Sequence, residues 1–132
     1  MTSTPLRVSD AASLAGVSDD TIRRWADAGK LELLKGENGR QVVDGVQLAR
    51  LLQQLATESS LSPTSKTSTR NRITGIVTRV TKDTVMAQVE LQAGPFRIVS
   101  LISREAVDEL GIEVGTVAAA TVKATSVSIS LP

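Results

Sequence analysis

Six side chains in the second half of the chain, Ser68, Arg70, Ser103, Lys123, Thr125 and Ser126, are hydroxyl donors and cations. Such donors suit a tetrahedral oxyanion, which is held by hydroxyls, by backbone N–H groups at a turn or helix start and by one or two positive charges, with no metal ligand. In the first half, Thr21, Arg23 and Arg24 fall on the polar side of a short helical stretch. These residue types meet the base edges and phosphates of duplex DNA. Taken singly, each of these residues also fits a solvated face or a turn, so the elements that position them decide the reading.

Composition narrows the chemistry further. The 132 residues include no Cys and no His. That removes zinc fingers, disulfide frameworks, iron–sulfur ligation, Cys nucleophiles and imidazole bases. Asp83, Glu90 and Glu105 are scattered without a paired spacing, and no Gly-rich phosphate loop follows a strand, so no enzyme is expected. Trp25 and Phe96 are the only aromatics, too few to stack successive bases of a single strand. With 41% hydrophobic and 22% charged residues and no long apolar run, the chain reads as globular, without a membrane partner or secretory signal, and cytoplasmic.

Between residues 56 and 68 the sequence ATESSLSPTSKTS lacks the apolar surface to order itself. Periodicity is helical before it and alternating and β-branched after it. The expected organisation is therefore a DNA-binding domain over 1–56, a flexible Ser/Thr-rich linker over 57–67 and a β domain over 68–132, an α+β chain overall. Residues 1–56 carry seven basic and seven acidic side chains. DNA binding by so balanced a segment needs local arrangement of its cations and more than one copy.

Ser9 or Asp10 is expected to cap a first helix ending at Ala15, and Gly16-Val17-Ser18 to turn the chain. Ser18 caps a second helix with Asp19 and Asp20 at its positive end and Ile22, Trp25 and Ala26 inward, stopped by Gly29. Thr21, Arg23, Arg24 and Asp27 then face out. Residues 31–43 form a hairpin around Gly36-Glu37-Asn38-Gly39, flanked by Lys35 and Arg40, which reads as a wing. Asp44 and Gln47 form a capping-box variant before a third helix over 45–55, with Val46, Leu48, Leu51, Leu52 and Leu55 inward. Val8-Ser9-Asp10-Ala11-Ala12, Gly16-Val17-Ser18, Thr21-Ile22-Arg23-Arg24-Trp25 and Gly29-Lys30-Leu31 together resemble the MerR and excisionase-like winged helix-turn-helix family over residues 6–56. The long dimerising coiled coil usual in MerR regulators is absent. The resemblance implies double-stranded DNA as partner, bound by Ser18, with Thr21, Arg23 and Arg24 at the groove or its phosphates and Lys35, Asn38 and Arg40 on the backbone.

Beyond the linker, residues 73–80 and 85–91 form a hairpin, 96–102 a third strand, Ser103 caps a helix over 104–110 closed by Gly111, and strands over 117–123 and 126–131 complete a five-stranded OB-like barrel with one short helix. Ser68-Thr69-Arg70-Asn71, Ile73-Thr74-Gly75-Ile76-Val77, Ser103-Arg104-Glu105 with Glu109-Leu110-Gly111, and Lys123-Ala124-Thr125-Ser126-Val127 resemble the Mop domain, the molybdate-binding TOBE family. The chain departs from the family pattern at Thr69 for Ala, at Ser103-Arg104-Glu105-Ala106 for Thr-Asn-Glu-Ser, and at Thr125 for Ser. The resemblance implies that Ser68, Arg70, Ser103, Lys123, Ala124, Thr125 and Ser126 bind molybdate, or tungstate. It also implies homo-oligomers, commonly hexamers built as trimers of dimers, with sites between subunits.

Together these readings lead to a molybdate-responsive DNA-binding transcriptional regulator. The alternatives are a molybdate storage or buffering protein and an excisionase-like DNA accessory factor.

Overall fold

The computed structural model describes residues 4–58 and 66–132, which fall into two compact units divided after Ser62. Residues 59–65, the centre of the expected linker, lie outside the described residues. No described helix is long and apolar enough to cross a membrane.

The N-terminal unit runs β1 (Pro5–Arg7), α1 (Val8–Ala15), α2 (Asp19–Asp27), β2 (Leu33–Lys35), β3 (Gln41–Asp44) and α3 (Gly45–Thr57). Its core gathers Val8, Ala11 and Ala12 of α1, Ile22 of α2, Leu31, Val43 of β3 and Leu48 and Leu51 of α3. Small residues on α1 let α2 approach closely, and Trp25 packs half-buried against this cluster, as an inward residue should. The expected turn signals act locally. Gly16 takes the left-handed conformation after α1, and the Ser18 hydroxyl accepts from the Thr21 N–H to open α2.

Three expectations for this unit need correction. Helix α1 starts at Val8, not at a cap on Ser9 or Asp10, because β1 pairs with β3 in the order β1-β3-β2 and delivers Arg7 straight into the N-cap position. The Asp44 carboxylate does cap α3, accepting from the Val46 N–H at 3.3 Å, but Gln47 does not fold back to it. Gln47 Oε1 instead accepts from the Glu32 N–H at 3.0 Å and ties α3 to the segment before β2. Val46 is exposed, leaving Leu48 and Leu51 as the buried residues of α3.

The C-terminal unit contains β4 (Asn71–Lys82), β5 (Met86–Ala93), β6 (Phe96–Ser103), α4 (Arg104–Leu110) and β7 (Val117–Val122). The antiparallel order is β6-β5-β4-β7. Strand β4 is shared: residues 71–76 pair with β7 and residues 76–82 with β5, with a bulge between Val77 and Arg79. A bulge bends a strand and increases its twist, so one long strand can serve two neighbours on a curled sheet. At this bend Gly75 is required by space, since a Cβ there would lie 2.6 Å from the Gln92 carbonyl oxygen. Val77, Ala87, Val89, Leu91 and the fully enclosed Val107 of α4 form the core.

The fifth strand of the expected barrel does not form among the described residues. Ala124–Ser126 is a single 3-10 turn, and residues 127–132 carry no regular structure. Val127, Ile129 and Leu131 alternate as a half-buried strand would, yet Ile129 and Leu131 are 88% and 91% exposed. A four-stranded half-barrel is the result.

Candidate functional site

The sheet register brings most of the expected oxyanion donors to one corner. Asn71 of β4 lies opposite Val122 of β7, and its side-chain Nδ2 also donates to the Val122 carbonyl at 3.0 Å. That double tie places the segment before β4 beside the segment after β7. Lys123 Nζ accordingly donates to Ser68 Oγ at 3.4 Å. Arg70 directly precedes the paired Asn71, is exposed, and makes no ion pair among the described residues. The 3-10 turn closes through Ser126 N–H to Lys123 O at 2.9 Å and Val127 N–H to Ala124 O at 3.2 Å. The N–H groups of Ala124 and Thr125, at its start, therefore have no partner inside the turn. Ser68, Arg70, Lys123, Ala124, Thr125 and Ser126 thus form one exposed, cationic, donor-rich corner. Asn71, quoted in the sequence motif but not counted as a site residue, is the side chain that locks the corner.

Ser103 is elsewhere. It pairs with Met86, next to the Lys82–Ala87 pair, and so stands at the far end of β4 from Asn71. A twelve-residue strand spans roughly 36 Å at about 3.3 Å per residue. Within one chain the register thus sets Ser103 at the opposite end of β4 from the other donors. Its hydroxyl accepts from the Ala106 N–H at 3.1 Å, capping α4 beside an open cleft of about 540 Å³ that Glu105, Asp108 and Glu109 line. Asp108 is held below the usual carboxylate range by its hydrogen bond from Lys82 at 2.8 Å, with Arg104 adding to it. Asp83 is likewise lowered by the Met86 and Val85 N–H groups that bond its carboxylate.

The N-terminal residues fall into two groups. Along the outer face of α2, Ser18 and Thr21 share a hydroxyl–hydroxyl bond of 3.0 Å, and Arg24 Nη2 donates to Thr21 Oγ1 at 2.9 Å. This chain of bonds holds Arg24 along the helix axis. Arg23 lies 3.8 Å from Asp20 and, with Arg40 in the turn before β3, lines a separate cleft of about 310 Å³. Arg7, which the sequence reading missed, lines it too. Its signal was hidden because the three-residue strand β1 that carries it shows no periodicity. Lys35 ends β2, and Asn38 sits in the tight turn closed by Gly36 N–H to Arg40 O at 2.7 Å and Gly39 N–H to Gly36 O at 3.0 Å. Both are exposed, and neither lines the arginine cleft.

Similarity to known proteins is carried by the C-terminal unit. Residues 67–129 match the TOBE domain. Molybdenum-pterin-binding protein 2 of Clostridium pasteurianum is 43% identical over 63 residues, and molybdenum-pterin-binding protein 3 of the same organism is 40% identical, each match covering 47% of this chain and 93% of the relative. Among solved structures, a molybdate binding protein from Sporomusa ovata aligns with a TM-score of 0.49 and 30% identity, over 51% of this chain and all of the other. MopII from Clostridium pasteurianum aligns with a TM-score of 0.47 and 39% identity over 50% of this chain and all of the other. Through its C-terminal half, this chain belongs to the TOBE domain family.

Proposed function

We propose that this protein is a molybdate-responsive DNA-binding regulator of the cytoplasm, a binding protein rather than an enzyme. The C-terminal unit takes the oxyanion and joins copies of the chain, and the N-terminal unit reads duplex DNA. The observation that carries the reading is the corner where Lys123 meets Ser68 beside Arg70 and the 3-10 turn. It lies in a domain whose relatives are molybdenum-pterin-binding proteins. Hydroxyls, unpaired turn amides and two cations match a dianion that needs no metal ligand. Tungstate, with the same charge and shape, fits the same donors.

Ser103, at the other end of β4, reaches such a site only from a second copy. The exposed apolar residues of this unit, Ile73, Ile76, Val117, Val122, Ile129 and Leu131 among them, support that assembly. Burying them between copies would shield them, and a hexamer built as three pairs matches the expectation from the family. Ligand bound between copies then changes how they associate. The winged units are thereby presented to DNA in a different number or geometry, and that is a coupling free energy between two sites.

For the N-terminal unit, the support is the outward Thr21 and Arg24 on α2, with the wing cations Lys35 and Arg40. The balance of seven basic against seven acidic residues in 1–56 favours a second reading, molybdate storage or buffering, in which this unit contacts no specific operator.

Calorimetric titration with molybdate, alongside sulfate and phosphate, tests the anion half. Micromolar or tighter binding of molybdate alone, about −8 kcal/mol or better, is expected. Equal weak binding of all three anions refutes it. Selection of a specific duplex from random DNA separates regulator from store.

A further inference from the structure

Three arginines, from two elements and a turn, line the 310 Å³ cleft of the N-terminal unit: Arg7 at the end of β1, Arg23 on α2 and Arg40 just before β3. Asp19 is the one carboxylate among the residues lining it, with Ser9 and Gln41 as neutral polar groups. Arg7 is also 3.3 Å from Asp10 and Arg23 3.8 Å from Asp20, but these pairs are exposed and so only weakly held. Arg40 has no ion pair among the described residues. Among the lining residues three cations face one carboxylate, while Asp10 and Asp20 pair with two of the arginines from outside the lining. An anion seated among the three guanidinium groups would receive charge-assisted hydrogen bonds from each of them.

The cleft admits a group of phosphate size. It also lies on α2, the helix that carries Thr21 and Arg24. Arg7, at the N-cap of α1, is tied to its own helix only through the exposed 3.3 Å pair with Asp10. We propose that Arg7, Arg23 and Arg40 jointly hold a single backbone phosphate of duplex DNA, fixing the register of α2 on the duplex, and that Asp19 opposes this contact. The proposal rests on the DNA-binding reading above and adds Arg7 and Asp19 to it. Phosphate contacts position a protein without reading sequence, so this clamp acts on any duplex, leaving discrimination to other residues of the face.

The test is fluorescence anisotropy of full-length protein on a labelled random-sequence duplex over a salt series, with circular dichroism confirming that each variant folds. Arg7→Ala, Arg23→Ala and Arg40→Ala are each expected to weaken binding about tenfold at low salt, as loss of one charge-assisted bond does. Because one phosphate is shared, the triple variant lowers the slope of log K against log salt by only about one unit. A fall of about three units means separate phosphates and overturns the clamp. Asp19→Asn is expected to tighten binding, and Arg50→Ala on α3 to leave it unchanged. If Arg7→Ala binds like the parent while Arg24→Ala loses affinity, the clamp is refuted and the DNA reading stands. Equal losses from Arg50→Ala and Arg7→Ala mean diffuse attraction and also refute it. If inorganic phosphate binds the three arginines and excess duplex does not displace it, the cleft takes a free anion and the commitment to DNA is overturned. Failure of the parent protein to bind any duplex overturns both readings together.

Discussion

The two units bury their apolar residues to different extents. In the N-terminal unit, Ile22 and Val43 are fully enclosed and three helices with a small sheet close around them. In the C-terminal unit a comparably small core around Val77 and Val107 sits beneath a sheet that leaves Ile73, Ile76 and Val117 exposed, as are Ile129 and Leu131 in the tail. The first unit completes its core within one chain. The second has both its apolar surface and its donor set divided in a way that a second copy would complete.

That contrast can be broken first at the cores. Ile22→Ala should destabilise the N-terminal unit by about 2–5 kcal/mol, the usual range for a buried aliphatic truncation, and leave molybdate binding in place. Two separate urea transitions, one shifted and one not, would show it. Simultaneous loss of both would mean that the units fold as one.

Arg70→Ala and Lys123→Ala address the other side. Each removes a charge-assisted donor from the corner, worth about 1.5–3 kcal/mol, so molybdate affinity should fall tenfold or more by calorimetry, with DNA affinity in the absence of molybdate unchanged. Unchanged affinity in both variants would remove the site assignment. Ser103→Ala has a smaller and double effect: loss of the α4 cap should cost about 1 kcal/mol of C-terminal stability, and molybdate affinity should weaken as well.

The smallest effect is in acid. The Asp83 and Asp108 carboxylates have lowered pKa values, so they contribute stability above the ordinary carboxylate pKa. That contribution is lost as pH falls below about 4, through the lowered values. Asp108→Asn should flatten this acid limb of the C-terminal transition slightly while leaving the midpoint near neutral pH little changed.

Local signals were legible in the sequence. Gly16, Ser18, Asp44, Ser103 and Gly111 act through bonds within a few residues, and each behaves as its type requires. Non-local pairing was less legible. Strand β1 is three residues long and exists because β3 passes beside it, so α1 could not be started correctly from its own residues. Gln47 had two acceptable partners, and tertiary context selected Glu32. The alternation of Val127, Ile129 and Leu131 was visible, but alternation cannot say whether one chain provides the neighbouring strand. The site follows the same rule. Its donor types were readable from the motifs, whereas the separation of Ser103 from Ser68 and Lys123 depends on the register of β4, and the convergence of Arg7 with Arg23 and Arg40 depends on β1.

The central claim, a molybdate site shared between copies, is tested most directly by complementation. Arg70→Ala disables the corner, and Ser103→Asp puts a carboxylate where an oxyanion would approach while keeping a good helix cap. Each variant alone should bind molybdate poorly in calorimetry. Co-refolded from a mixture, they should regain part of the parent's molybdate sites, since some interfaces then combine an intact Ser103 with an intact Arg70. A mixture that binds no better than the two variants measured separately would contradict a shared site.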